Sequence, residues 1–276
     1  SPQQNHLGTI MAKEYDATLN VVTDIEPAEW GNYFARRAHI PPGKVEVLDT
    51  DLSATLQADK LYRINNAFPS LLHLEFVSSG RLGRAEEAFY YNAAAMRIYQ
   101  QPVHSVILLL RPKANALDLT GEWLGLGNEA NPEQNAIHRF RYTVVRLWEE
   151  PFEEVLTAGL GLSMLALLTN EAAANLPAAF ARFRQHLQAE KPSATLQNKL
   201  LDSAFFLCGL RYPPRANRGA LHESQHHSGR FFHLSSYPEK RRRPWPLSWG
   251  TRIIVASRYK AFRGSDTCSR DGLEPH

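Results

Sequence analysis

A chain of 276 residues, 43% of them hydrophobic, is long enough to bury a full core and fits one large domain or a domain with appendages. Its longest apolar runs, such as 106–110, fall far short of the roughly 20 residues a bilayer demands, which argues against a helical span and a membrane partner. The net charge of +3 hides an asymmetry: from Arg215 on there are 12 Lys and Arg against 5 Asp and Glu, and before it 19 against 23, so composition alone does not make the first part a nucleic-acid binder.

In chain order, residues 12–24 read as a helix with Tyr15, Leu19 and Val22 on one face. Pro27 suits the first turn of a second helix that runs to about Ala38, and Pro41-Pro42-Gly43 is a stop and turn. Three strands are expected next, over 44–48, 58–64 and 71–78. In the second, Ala58, Tyr62 and Ile64 are expected to oppose Asp59, Leu61 and Arg63. In the third, Leu72, Leu74 and Phe76 oppose His73, Glu75 and Val77. The short links between these strands suit antiparallel neighbours. A long helix is expected over 81–100, a strand buried on both faces over 103–110, and a further strand over 140–148. Pro151 opens a short helix, and residues 171–190 and 194–210 read as two amphipathic helices broken at Pro192. This order predicts an α/β or α+β layer fold, a mixed central sheet flanked by helices with a C-terminal helical extension over 166–213.

The ends differ in character. Residues 1–10 lack the charged start and apolar centre of a signal peptide. Met11 reads as a natural start, so residues 1–10 are expected to be an upstream leader or a non-native addition. After Pro214 the chain turns rich in Arg, Ser, His and Pro, a basic low-order tail over 214–276. Three readings of it stay open: a nucleic-acid-binding arm, an ordinary solvated tail, or translation out of frame in a decayed gene. Cys208 lies in an apolar run and reads as core, whereas Cys268 lies in the tail, and neither makes a metal or disulfide pattern. A reducing cytoplasm is the expected location.

The chemistry concentrates in 45–79. Glu75 sits in the middle of an apolar strand, where a carboxylate is costly unless it is solvated, paired or bound to a metal. Asp59 occupies a similar place on the preceding strand. With both on one face, the two carboxylates would form an oxygen site suited to Mg²⁺, which could activate water against a phosphodiester. The plainer alternative is two acidic residues on the solvent face of a sheet. Asp49 and Asp51 read as turn and cap residues. The histidines His222, His226, His227 and His233 are more simply polar tail residues than a metal site.

Several segments together resemble a known family. They are Lys13-Glu14-Tyr15-Asp16-Ala17-Thr18-Leu19, Ala58-Asp59-Lys60-Leu61, Leu72-His73-Leu74-Glu75-Phe76-Val77-Ser78, Ser105 to Pro112, Phe140-Arg141-Tyr142, Val145 to Glu149, and Gly209-Leu210-Arg211-Tyr212-Pro213. In order and spacing, over about residues 11–213, they resemble the Rpn family of recombination-promoting nucleases and transposase-like proteins, within the PD-(D/E)XK nuclease superfamily. The resemblance implies a restriction-endonuclease-like fold with the nuclease domain over 11–165. It implies Mg²⁺-dependent DNA cleavage linked to recombination, DNA as the partner, and two copies pairing to cut both strands. It makes Asp59 and Glu75 metal-binding acids, the Phe76 main-chain carbonyl a further ligand, and Asp16 an auxiliary acid on the first helix. The family usually reads Glu-Phe-Gln where this chain reads Glu75-Phe76-Val77. Valine neither donates nor accepts a hydrogen bond, so the resemblance also implies a weakened or inactive nuclease, or a relative that binds nucleic acid or protein without cutting. Tyr91 is retained on the next helix without the arginines that usually precede it. Lys60 is expected to point away from the site, and Gln57 could replace the missing amide only by projecting into it.

Overall fold

The computed structural model describes residues 15, 18–53, 56–125 and 138–212. Asp16, the ends 1–14 and 213–276, and with them the histidine-rich segment and the three readings of the tail, lie outside the described residues. Helix α1 comprises residues 15 and 18–23 among those described. Helix α2 follows at Pro27–Arg37. Its proline occupies the first turn, where a missing N–H costs nothing.

The main sheet has five strands: β1 (Lys44–Val47), β4 (Lys60–Asn65), β5 (Ser70–Val77), β6 (Val103–Leu109) and β9 (Thr143–Arg146), side by side in the order β1-β4-β5-β6-β9. The first three are antiparallel, while β5, β6 and β9 run parallel. A parallel pair needs a crossover, and between β5 and β6 it is helix α3 (Arg84–Tyr99). The fold is therefore mixed α/β, as the alternation of strand and helix patterns predicts. Two antiparallel pairs stand outside this sheet: β2 (Asp51–Ser53) with β3 (Leu56–Gln57), and β7 (Glu122–Gly125) with β8 (His138–Arg141). The chain then makes a short helix α4 (Phe152–Leu156), a 3₁₀ segment at Ser163–Leu168, and helices α5 (Asn170–Ala174), α6 (Leu176–Glu190) and α7 (Ala194–Arg211).

Alternation along β5 and β6 assigns each side chain to a layer. Leu72, Leu74, Phe76, Val106 and Leu108 join α1, α2 and the C-terminal helices in one large core. Val77, Ile107 and Leu109 pack on the other face, against Ala85 and Ala88 of α3 and the aromatic residues Phe140, Tyr142 and Trp148. A third cluster places Ala58, Leu61 and Leu71 against Tyr91 and Ala95 of α3, with Leu52 and Leu56 of the β2–β3 pair alongside. Residues 166–210 share the first core with the sheet. Arg111 fastens this junction, its guanidinium donating to the carbonyls of Ser78 at 2.5 Å and Leu210 at 3.1 Å. Arg211 and Tyr212 bind the carbonyls of Leu168 and Leu167. Cys208 is buried in this core, which pushes its thiol up to about 12.

Some sequence expectations are corrected. The strand expected over 140–148 is two strands in two different sheets, β8 and β9, separated at Tyr142. Hydrophobic alternation continues through the break, so periodicity could not reveal it. The helix expected over 171–190 is divided at Asn175, whose side chain caps α6 by accepting from Ala178 N at 3.2 Å, with Pro177 in the first turn. Ala58 faces Leu61 rather than Tyr62 and Ile64, because regular pairing begins only at Lys60 and a bend at Asp59 interrupts the alternation.

Helix α2 carries a titratable contact with the loop that follows α4. Gly159 has φ +150°, and a side chain there would collide with Glu29. Packed against this loop, Glu29 has its Oε2 buried. Burial, then the neighbouring Glu26, pushes its carboxyl up from 4.5 to about 7. A carboxyl raised in the folded state contributes its stability below pH 4.5 and loses it as pH rises through 7. Glu29→Gln, which mimics the protonated form, should match the wild type in thermal midpoint at pH 4.5 and exceed it at pH 8. Equal midpoints at pH 8 would contradict this account.

Candidate active site

The C-terminal half of β5 gathers the polar groups. The last pair of the β4–β5 ladder is Lys60 with Leu74, so Asp59, one residue before β4, comes level with Glu75. Asp59 is buried, and its Oδ2 accepts the Phe76 N–H at 2.8 Å. Asp59 thus accepts from the peptide group that joins Glu75 to Phe76, which makes the two acidic residues neighbours at the end of the ladder. The Phe76 carbonyl can be placed as well. Val77 O accepts Leu110 N–H at 2.9 Å, toward β6. Successive carbonyls alternate across a strand, so that of Phe76 faces the opposite edge, where Asp59 lies and the β4 ladder has ended. Asp59, Glu75 and Phe76 are therefore brought together. Asp16 lies outside the described residues.

A chain of hydrogen bonds reaches Glu75 from behind. His73, fully buried on the same face of β5, places Nε2 3.0 Å from Glu75 Oε1 and Nδ1 3.0 Å from Ser105 Oγ of β6. Asn92 of α3 donates from Nδ2 to Val103 O at 2.8 Å and to Ser105 Oγ at 2.9 Å. A carbonyl can only accept, so the Asn92 amide nitrogen must face it. Ser105 Oγ accepts from Asn92 and still has its own hydrogen and a second lone pair, so it can serve His73 Nδ1 as donor or acceptor. An ionised Glu75 can only accept, so the ring proton lies on Nε2, directed at Glu75, and Nδ1 takes the Ser105 hydrogen. Burial pushes the imidazole down to about 3, so the ring is neutral and one tautomer satisfies every contact.

Tyr91 covers this chain. Its ring stacks on His73 with centroids 4.4 Å apart, and its hydroxyl donates to Thr50 O at 3.2 Å. Burial, and after it the charge of Glu75, pushes the phenol above its ordinary range. Asp49 also adds to that shift, yet its Oδ1 accepts Asp51 N–H at 3.0 Å, a turn contact as expected from sequence.

Lys60 points to the opposite face, as expected, and its ammonium donates to Asp24 at 2.8 Å. Gln57 is exposed on β3. Val77 shares the face of Glu75, but its side chain is 1% exposed and packs among Ala85, Ala88, Ile107 and Leu109. It contributes apolar contact where an amide or amine would contribute a hydrogen bond. His73, Ser105 and Asn92 were not singled out from sequence. The available signals were His73 in phase with Glu75 along β5 and a serine inside the apolar run of β6.

Among the described residues, no group of three or more His, Cys, Asp and Glu side chains is arranged around a common point for a metal. The oxygen set here is smaller, two carboxylates and one main-chain carbonyl. Its chemistry fits Mg²⁺, a hard cation that keeps several waters and takes one or two protein carboxylates. Comparison with protein-family models, with curated proteins and with solved structures found no match for this chain.

Asp59 has a structural duty besides any chemical one. Asp59→Ala leaves the buried Phe76 N–H without its acceptor and should lower the unfolding free energy by about 1–3 kcal/mol in urea denaturation. Asp59→Asn keeps an acceptor oxygen and should lose less. Equal loss in both variants would show that the bond to Phe76 contributes little.

Proposed function

We propose that this chain is a Mg²⁺-dependent DNA endonuclease of the PD-(D/E)XK type, related to the Rpn family that its sequence resembles, and working in the cytoplasm. The observation that carries the proposal is the pairing of Asp59 and Glu75 around the Glu75–Phe76 peptide, at the point where β4 stops covering β5. A site at this end of β5 lies where the β4 ladder has ended, and the buried half of the sheet holds its residues in place.

In this reading Asp59, Glu75 and the Phe76 carbonyl would hold the ion, and Asp16 would assist as the resemblance implies. A bound Mg²⁺ supplies an activated water and stabilises charge on the phosphate. The reaction is hydrolysis: water adds to phosphorus, one P–O ester bond breaks, and the products are a phosphate monoester and a hydroxyl. The protein's contribution is orientation. The Phe76 N–H fixes Asp59, and the His73 Nε2–H contacts Glu75. The site lacks the amide that the related motif carries two residues after the glutamate, so the proposed enzyme is a weak one. Pairing of two copies would be needed to cut both strands.

A second reading has its own observation. Val77 is sealed in an apolar layer, so the hydrogen-bonding group that this position normally supplies has been replaced by core packing. A relative that keeps the fold and binds nucleic acid or protein without cutting would look like this.

Nicking of supercoiled plasmid by the full chain in Mg²⁺ separates the two. The nuclease reading expects slow nicking, reduced at least a hundredfold in Asp59→Asn and raised in Val77→Gln. Folded wild type and Val77→Gln that both leave the plasmid intact would reject it and favour the binding relative. Nicking that persists at full rate in Asp59→Asn would reject the assigned residues.

A further inference from the structure

We infer that His73 is a positioning residue, whose Nε2–H, locked in place by Ser105 and Asn92, orients the Glu75 carboxylate for a hard divalent cation. The inference rests on the reading of Asp59 and Glu75 as a metal-binding pair.

A solvated glutamate samples several rotamers and would have to be ordered each time an ion binds. Glu75 is 17% exposed at its side chain, and Oε1 lies 3.0 Å from Nε2 of a ring packed on all sides. The ring is fully buried, stacked on Tyr91 and held through Nδ1 by a β6 serine that is itself held by α3. The orientation of one carboxylate is thus referred to β6 and α3 as well as to its own strand. This is the usual relation between a metal-binding carboxylate and the group behind it, and loss of such a group typically weakens metal affinity by about 10–100-fold. A histidine with no such duty would be an expensive choice here. Burying an imidazole requires partners for both nitrogens, and an apolar side chain at position 73 would need none.

Mn²⁺ is a suitable probe, followed by its electron paramagnetic resonance as it is titrated into the full chain. Asp59→Asn serves as the reference for loss of the pair. The discriminating variants are two amides of similar polarity. His73→Gln places its amide nitrogen where Nε2 was and keeps a donor for Glu75. His73→Asn reaches only to the position of Nδ1 and loses that donor. Wild type should bind Mn²⁺ more tightly than Asp59→Asn, His73→Gln should stay within about threefold of wild type, and His73→Asn should weaken binding about 10–100-fold. A purely packing role would move the two amide variants together. If His73→Asn does not fold, Ser105→Ala, which keeps the ring and removes the partner of its Nδ1, should still weaken binding. The ¹⁵N spectrum of wild type should show the Nε2–H tautomer.

Equal Mn²⁺ affinity in wild type, His73→Gln and His73→Asn would overturn the inference and leave the metal pair standing. So would an Nδ1–H ring in the wild type, or unchanged affinity in Ser105→Ala where His73→Asn does not fold. Wild-type binding no tighter than that of Asp59→Asn would remove the metal pair itself, and the inference with it.

Discussion

Strand β5 has a neighbouring strand on each edge and packed side chains on each face, so a polar group on it must find its partner inside the protein. That constraint organises the rest. Leu72, Leu74 and Phe76 meet it by joining the core shared with α1, α2 and the C-terminal helices. His73 cannot, and an unpartnered imidazole there would cost a few kcal/mol. Its partners come from the next strand and from the crossover helix, Ser105 and Asn92, so the demand of one buried ring ties β5, β6 and α3 together at the candidate site. The parallel β5–α3–β6 crossover makes this possible, because it lays α3 across the same face that carries His73 and Glu75.

The site itself arises where that burial ends. β4 pairs with β5 only from Lys60 onward, so the ladder stops one residue short of Asp59. Asp59 then does with its side chain what a β4 carbonyl would have done, accepting the Phe76 N–H. A carboxylate substituting for a missing ladder partner is thereby placed beside the residue that follows Glu75. The same strand also sets the limit on the chemistry. Val77 is in phase with Glu75 but one step deeper under α3, among Ala85 and Ala88, and there it packs. The two acids lie at the margin of the sheet, whereas Val77, two residues after Glu75, lies in the core.

The elements that were legible in sequence are those whose burial follows a single period. α2, β5 and β6 have one face or both faces covered along their whole length, and each lies within a residue or two of its expected bounds. The elements that were not legible change partner part-way. β8 and β9 read as one strand because apolar residues alternate through Tyr142, although the two halves belong to different sheets. Helices α5 and α6 read as one because only the Asn175 cap and Pro177 separate them. The small β2–β3 pair has too few residues for periodicity to register. Glu75 could be chosen from sequence because a carboxylate in an apolar run is conspicuous, and Asp59 because its place on the preceding strand and the family resemblance pair it with Glu75. The bend that puts Asp59 just outside the strand, and Ala58 on the opposite layer from the one expected, could not.

By itself the sequence determined which residues are apolar, at what period, and where charge interrupts them. That was sufficient for a mixed α/β layer fold, for the burial of Cys208, for the opposite facing of Lys60, and for the candidacy of two acids. Which strands pair, and in what register, was decided only by the tertiary structure. Register brings Asp59 level with Glu75 and His73 level with Ser105, although 32 residues of chain separate the last two. The physical reason is that a hydrogen bond between distant residues leaves no period in the sequence. It is created when the sheet closes and every buried donor must find an acceptor.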